Sequence, residues 1–251
     1  MPVGRVVLPA HTGDSLWKKA ATAIVYQESW GGVTNTIAIS GYDSSIIAYQ
    51  VTSLNTDEVI INAAIVWVNA LGGGSVYIEE STYTFGANVA LLASVYLYGS
   101  GSGSILTIPA ATDDCVEISG VTGWKIALLT LRTTGVGAND ALSLVDADDG
   151  EIFSLVIDDS GQDGIIIDGD SSSVNIHDNN ISGCTRYGIN NSGDNNQIQG
   201  NRIDTTGDDG IWLQAGGTYC VIVENRISGW TGEGIDNDES TNQVAHNITA
   251  V

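Results

Sequence analysis

The sequence predicts an all-β protein: a right-handed parallel β-helix of 22–24 residues per coil, with an N-terminal capping helix over about residues 56–71. Three observations predict it. A motif Ile-x-x-Asn-x-Ile recurs at Ile176–Ile181, Ile198–Ile203 and Ile222–Ile227, and a degraded copy follows at Val244-Ala-His-Asn247. Its asparagines, Asn179, Asn201, Asn225 and Asn247, are spaced by 22, 24 and 22 residues. A second marker, Gly-Ile, interleaves at Gly164, Gly188, Gly210 and Gly234, spaced by 24, 22 and 24. Third, the segments between markers are short, β-branched and bounded by Gly, Asn, Asp and Ser.

Stacking such coils about 4.8 Å apart turns each repeat position into a column. Inward isoleucines build the core. The asparagine column is expected to tolerate left-handed backbone at a corner and to pass amide hydrogen bonds from coil to coil. Glycine ahead of the Gly-Ile strand is expected to serve a tight bend. A leucine-rich repeat would need a Leu-x-x-Leu-x-Leu core, which is absent. Earlier coils are looser but follow the same alternation at Val95–Tyr98, Ile105–Ile108, Cys115–Ile118, Ile126–Leu131, Ala141–Val145 and Ile152–Ile157.

Upstream, Asn55-Thr-Asp-Glu58 reads as an N-cap with Glu three positions on. Ile61, Ala64, Ile65, Val68 and Leu71 then keep helical spacing, and Gly72-Gly73-Gly74 ends the helix. Such a helix covers strand edges that a β-helix leaves unpaired at its N-terminal end. Residues 1–54 are expected to be an extension packed on the first coils, or else a small attachment segment. A short helix is expected from Asp14, with strands at Ile37–Ser40 and Ile46–Val51.

Charge narrows the function. The 251 residues hold 30 Asp+Glu against 8 Lys+Arg, a net charge of −22, which excludes ordinary phosphate-backbone binding and opposes anionic membranes. Residues 1–112 contribute 7 acidic and 3 basic groups, net −4; residues 113–251 contribute 23 and 5, net −18. Any cation or ligand site is therefore sought in the later coils. With 43% apolar residues the chain is not a disordered acidic tail. Cys115, Cys184 and Cys220 lie too far apart for a disulfide framework and read as small core residues. No signal peptide is visible and no apolar run of about 20 residues offers membrane insertion.

Thr56–Ile65, Gly72-Gly-Gly-Ser-Val-Tyr-Ile78, Thr82-Tyr83 and Val95-Tyr-Leu-Tyr-Gly-Ser-Gly101 resemble the start of the pectate-lyase-like β-helix superfamily, and the later repeats resemble its coils. The resemblance covers roughly residues 55–251 and implies the fold. For function it implies a choice, because the superfamily includes lyases, polygalacturonases, epimerases, phage tailspikes and non-catalytic adhesins. Gly207-Asp208-Asp209-Gly210 is similar to the paired-Asp motif of polygalacturonases, but that family's His-Gly motif is absent, and Asn55-Thr-Asp57 lies at the helix cap. The pectate lyases' Trp-Ile-Asp-His motif is also missing.

Columns give residue-level expectations. Asp163, Tyr187, Asp209 and Glu233 precede the Gly-Ile strand; Ile166, Asn190, Trp212 and Asp236 follow it, facing outward. Tyr187 and Trp212 offer aromatic faces for sugar rings, with Asp163 and Asp236 as polar contacts. Asp209 and Glu233, one coil apart, are candidate catalytic carboxylates near the separation used by retaining glycosidases. Arg202 and Arg226 share another column; Arg226 is a candidate catalytic group and Arg202 a ligand contact. Asp146, Asp148, Asp149, Asp236 and Asp238 supply hard oxygen donors of the kind Ca²⁺ takes, although no cofactor is required. The expected function is glycan contact by an extracellular or virion-surface protein of tailspike or adhesin type. The alternatives are a polysaccharide lyase or glycoside hydrolase on an outer face, and a structural protein without ligand. The last repeat carries no covering segment, so either the chain is a fragment or a neighbouring subunit covers the end; a homo-oligomer is expected, a trimer by preference.

Overall fold

A computed structural model of the chain describes residues 21–30, 32–50, 56–109, 113–134 and 139–250. The helix expected from Asp14 and the proposed cap residue Asn55 lie outside them. Each coil carries three short strands, one on each of three parallel faces. The fifth coil, for instance, has Asn175–His177 on the first face, Asn180–Cys184 on the second and Ile189–Asn191 on the third. Seven such coils run from Gly74–Ile78 to Ile235–Asn237, and Gln243–Ala245 and Ile248–Ala250 begin another.

Register is uniform because each strand's inward positions are apolar and repeat from coil to coil. On the first face Ile152, Ile176, Ile198 and Ile222 align, and on the second Ile157, Ile181, Ile203 and Ile227 do. All are essentially inaccessible to solvent. Burying each isoleucine contributes about 1.5–3 kcal/mol, and slipping one residue would turn the whole set outward.

At the N-terminal end, Ala23–Trp30, Val33–Ser40 and Ile46–Tyr49 form an antiparallel meander. Ala23–Trp30 also pairs in parallel with Gly74–Ile78, so the meander continues the first face. Helix α1, Asp57–Ala70, packs Ile60, Ile61, Ala64, Ile65 and Val68 into the same core as Val25, Val76 and Tyr83. Its N-cap is Thr56, one residue beyond the expected Asn55, with no side-chain cap bond. The acids of its first turn serve neighbouring segments instead. Asp57 accepts from Thr36 Oγ1 (2.5 Å) and the Thr84 N–H (2.7 Å), and Glu58 from the Gly86 N–H (3.2 Å). Gly72 and Gly73 end the helix with φ of 93° and 110°, a conformation open to residues without Cβ.

Two corner details differ from expectation. In the asparagine corner the left-handed residue is the one before the asparagine: Asp178, Gly200, Glu224 and His246 have φ between 56° and 64°. The asparagine turns inward and makes the ladder itself. Asn201 Oδ1 accepts from the Asn179 N–H (3.0 Å), and Asn225 and Asn247 repeat the contact downstream. Likewise, the Gly-Ile glycines are not required by φ. A Cβ on Gly164, Gly188 or Gly210 would lie 2.5, 2.6 or 2.7 Å from the next glycine's carbonyl oxygen. Close approach between coils, rather than a bend, excludes a side chain there.

Candidate functional site

The second and third faces meet at a corner whose residues stack in register. Cys115 N–H donates to Asp140 O, Ala141 to Asp163, Gly164 to Tyr187, Gly188 to Asp209 and Gly210 to Glu233. The corner column therefore reads Asp114, Asp140, Asp163, Tyr187, Asp209, Glu233. Beside it, on the third face, Glu117, Ser143, Ile166, Asn190, Trp212 and Asp236 are aligned partners.

The corner carboxylates form a ladder of their own. Asp114 Oδ1 accepts from the Asp140 N–H (2.8 Å), Asp140 Oδ1 from Asp163 (2.7 Å), Asp163 Oδ1 from Tyr187 (3.2 Å) and Asp209 Oδ1 from Glu233 (2.6 Å). In Asp114, Asp140 and Asp209 that bond favours the ionised carboxylate, but burial and the neighbouring acids outweigh it. Burial raises Asp114 and Asp209, and pushes Asp140 up to about 7 with help from Asp163 and Asp114.

Asp163, wholly inaccessible, is met by Arg186. Nε donates to Oδ1 at 2.7 Å and Nη2 to Oδ2, while Asn190 Nδ2 also reaches Oδ2 at 2.9 Å. The guanidinium lies 4.9 Å from the Tyr187 ring centroid. Tyr187 packs against Trp212, with centroids 4.8 Å apart and planes tilted by 40°. Gln214 Nε2 donates to Asn190 Oδ1 (2.6 Å), and Trp212 Nε1 to Asp238 Oδ2 (3.2 Å). The result is a half-exposed aromatic pair fixed from beneath by an ion pair and flanked by amides and carboxylates.

Tyr187, Trp212, Glu233 and Asp236 thus share one surface region. Asp163, expected as a ligand contact, is inaccessible and supports the pair from within, and Asp209 is nearly as enclosed. Arg202 and Arg226 do align with each other, but on the second face, at the start of strands whose far ends lead towards this corner. Arg202 lies 3.9 Å from Asp204, and no ion pair among the described residues joins Arg226 to Asp209 or Glu233. Of the candidate metal donors, Asp148 Oδ1 accepts from Ser172 N–H (2.7 Å) and Oγ (2.8 Å), and Asp238 holds the Trp212 indole. Asp146 and Asp149 take left-handed backbone, each with φ of 52°. Among the described residues, no three His, Cys, Asp or Glu side chains converge as a metal cluster.

Arg186, Gln214, Asp114 and Asp140 are absent from the sequence-predicted columns; Asn190, expected in the outward column, is buried instead. A signal for the two acids exists: an acid followed by a small residue and an apolar strand, as in Asp114-Cys115, Asp140-Ala141 and Asp163-Gly164. A second unforeseen feature lies on the first face. Tyr77 meets Tyr98 at a tilt (5.3 Å, 50° between planes), while Tyr98 stacks on Tyr96 (4.7 Å) and Phe153 on His177 (5.3 Å, 3° between planes). The Tyr77–Tyr98 and Phe153–His177 contacts join neighbouring coils, and Tyr96–Tyr98 lies within one strand.

The coils and corner ladder define a mainly-β solenoid with a chemically distinct outer corner. The chain belongs to the right-handed β-helix family, whose description, Right handed beta helix region, matches residues 112–250. No curated protein is significantly similar in sequence. Among solved structures, the Agl-KA catalytic domain superposes with a TM-score of 0.68 at 16% identity, over 79% of this chain and 40% of that one. An alginate lyase from Paenibacillus sp. str. FPU-7 gives 0.58 at 19% identity, over 75% and 74%. A tailspike protein mutant of Escherichia coli bacteriophage HK620, solved in complex with a pentasaccharide, gives 0.59 at 10% identity, over 84% and 44%. At these identities the likeness concerns the fold, and the chain spans less than half the length of the Agl-KA domain and the tailspike.

Proposed function

We propose that the protein binds a glycan across the corner between the second and third faces, in the manner of a tailspike or adhesin, at an extracellular or virion surface. The observation that carries this is the Tyr187–Trp212 pair, held by the Arg186–Asp163 ion pair and bordered by Asn190, Gln214, Asp236 and Asp238. Aromatic rings take the apolar faces of sugars, while amides and carboxylates take their hydroxyls. The bacteriophage tailspike bound to a pentasaccharide is a structural neighbour and supports the reading by analogy of fold. The test is a glycan array with wild type and Trp212→Ala. Binding by wild type and a loss of at least about tenfold in the variant, at unchanged thermal stability, is the expected result. An array with no binding favours a structural protein without ligand.

A second reading, polysaccharide cleavage, draws on one observation. Burial and neighbouring acids raise Asp209, and Glu233 follows it on the next coil, so two carboxyls in different surroundings stand side by side. Reducing-end and unsaturated-product assays across a polysaccharide panel test it. Any activity found should be abolished by Asp209→Asn.

A further inference from the structure

We infer that the glycan taken at the Tyr187–Trp212 corner is uncharged, a neutral or N-acetylated oligosaccharide rather than a polyuronate. The inference rests on the glycan-binding function proposed above and names its ligand class. It follows from how charge is distributed around the aromatic pair.

Asp209 and Glu233 occupy the corner next to Tyr187, Asp236 is the register partner of Trp212, and Asp238 bonds its indole. Asp208 lies in the same turn, and its Oδ1 and that of Asp209 both crowd Gly232, within 2.4 and 2.3 Å of where a Cβ would stand. Against these carboxylates the corner offers, among the described residues, one guanidinium, Arg186, and two of its nitrogens are engaged by the inaccessible Asp163. Arg202 and Arg226 are on the second face, across the strands from the corner.

A polyuronate carries one carboxylate per sugar ring, so a chain crossing this corner would set several of them against its acids without a counter-charge. A bridging cation would relieve that repulsion, yet no three acidic groups converge to hold one among the described residues. Carboxylates are, by contrast, good acceptors for sugar hydroxyls and for the N–H of an N-acetyl group. Gln214 adds an amide beside them, its Nε2 held by the buried Asn190. The polar rim therefore suits a donor-rich, uncharged ligand.

The test compares dissociation constants of the full chain, by titration calorimetry, for two sets of probes. The first is neutral: chito-oligosaccharides, galacto-oligosaccharides and neutral bacterial O-polysaccharides. The second is oligoalginate and oligogalacturonate, each with and without added Ca²⁺. The expected result is neutral binding that changes less than about twofold between low and high NaCl, with uronates at least about tenfold weaker. In Glu233→Gln/Asp236→Asn the ratio of uronate to neutral affinity should rise at least about threefold. Uronate binding as tight as neutral binding, with or without Ca²⁺, overturns the inference and leaves glycan binding standing. An unchanged ratio in the double variant also overturns it. Failure of every glycan to bind overturns the proposed function and this inference together.

Discussion

Arg186 grips the inaccessible carboxylate of Asp163 through Nε and Nη2, and the same carboxylate accepts from the Tyr187 N–H and Asn190 Nδ2. Four donors make Asp163 the best-satisfied acid of its column and tie the aromatic pair to the coil beneath. Removing the guanidinium leaves a buried charge with half its partners. Arg186→Met is therefore expected to cost about 2–4 kcal/mol, below the full value for an enclosed pair because Arg186 is one-third exposed. Urea denaturation measures this. Adding Asp163→Asn to that variant should recover part of the loss. A double variant as unstable as the single one would assign the effect to packing of the arginine stem instead.

Asp140 gives the corner a pH dependence with a definite sign. Its carboxyl is raised in the folded protein to about 7, chiefly by burial. The folded state therefore holds a proton that the unfolded chain releases near pH 4. The corresponding stability is complete below that pH and is lost as pH rises through about 7. Asp140→Asn keeps an oxygen for the Asp163 N–H and cannot ionise. It is expected to be close to wild type at pH 4 and more stable at pH 8 by roughly 2–4 kcal/mol, read from chemical melts at both pH values. Equal stability at pH 8 would mean that water reaches the carboxylate more freely than its burial indicates.

The period of the solenoid was legible in the later coils because the Asn and Gly-Ile markers are reused without interruption from Gly164 to Asn247. Register then follows from the markers, and with it the alignment of Asn190, Trp212 and Asp236. Earlier coils replace the marker glycine by Cys115 and Ala141, which hid Asp114 and Asp140 from the column they share with Asp163. Arg186 escaped for a different reason. Its partner is set by the coil below, and sequence proximity to Tyr187 does not reveal which buried acid it reaches. The first-face aromatics were missed because Tyr96 and Phe153 are neither neighbours in sequence nor part of a repeated motif, yet their rings come within 6.1 Å.

The marker glycines separate two demands that a sequence cannot distinguish. Gly210 has ordinary φ, yet a Cβ there would lie 2.2 Å from Ile227 Cγ2 and 2.7 Å from the Gly234 oxygen. Gly169, also with ordinary φ, would bring its Cβ no nearer than 3.7 Å to Ser192 O. Gly210→Ala must push neighbouring coils apart and is expected to cost about 2–4 kcal/mol, whereas Gly169→Ala should fall within about 0.5 kcal/mol of wild type. Paired thermal melts decide it. Similar effects at both positions would remove close approach as the reason for the Gly-Ile marker.

The asparagine ladder makes the strongest single-residue prediction. Asn201 is 1% exposed; its Oδ1 accepts from both Asn179 N–H (3.0 Å) and Asn179 Nδ2 (2.9 Å), and its Nδ2 donates to Ile176 O (2.9 Å) and Asn225 Oδ1 (3.0 Å). Asn201→Ala strands buried donors and acceptors on two adjacent coils, at about 1–3 kcal/mol for each left unmade. A total loss of about 3–5 kcal/mol is expected. Asn247 makes the same bonds to Asn225 and Ile222, but it is half-buried and water can replace them. Asn247→Ala should therefore cost about 1 kcal/mol. Asn201→Asp discriminates further: it keeps the acceptor, loses the donor and buries a charge facing Asn225 Oδ1 and Ile176 O. Its pKa in the folded state must rise, so its stability is retained in acid and lost as pH rises. Denaturant melts at pH 4 and pH 8 should rank Asn201→Asp close to Asn201→Ala at the lower pH and below it at the higher. The reverse order would show that the corner is open to solvent and that the ladder is not what joins one coil to the next.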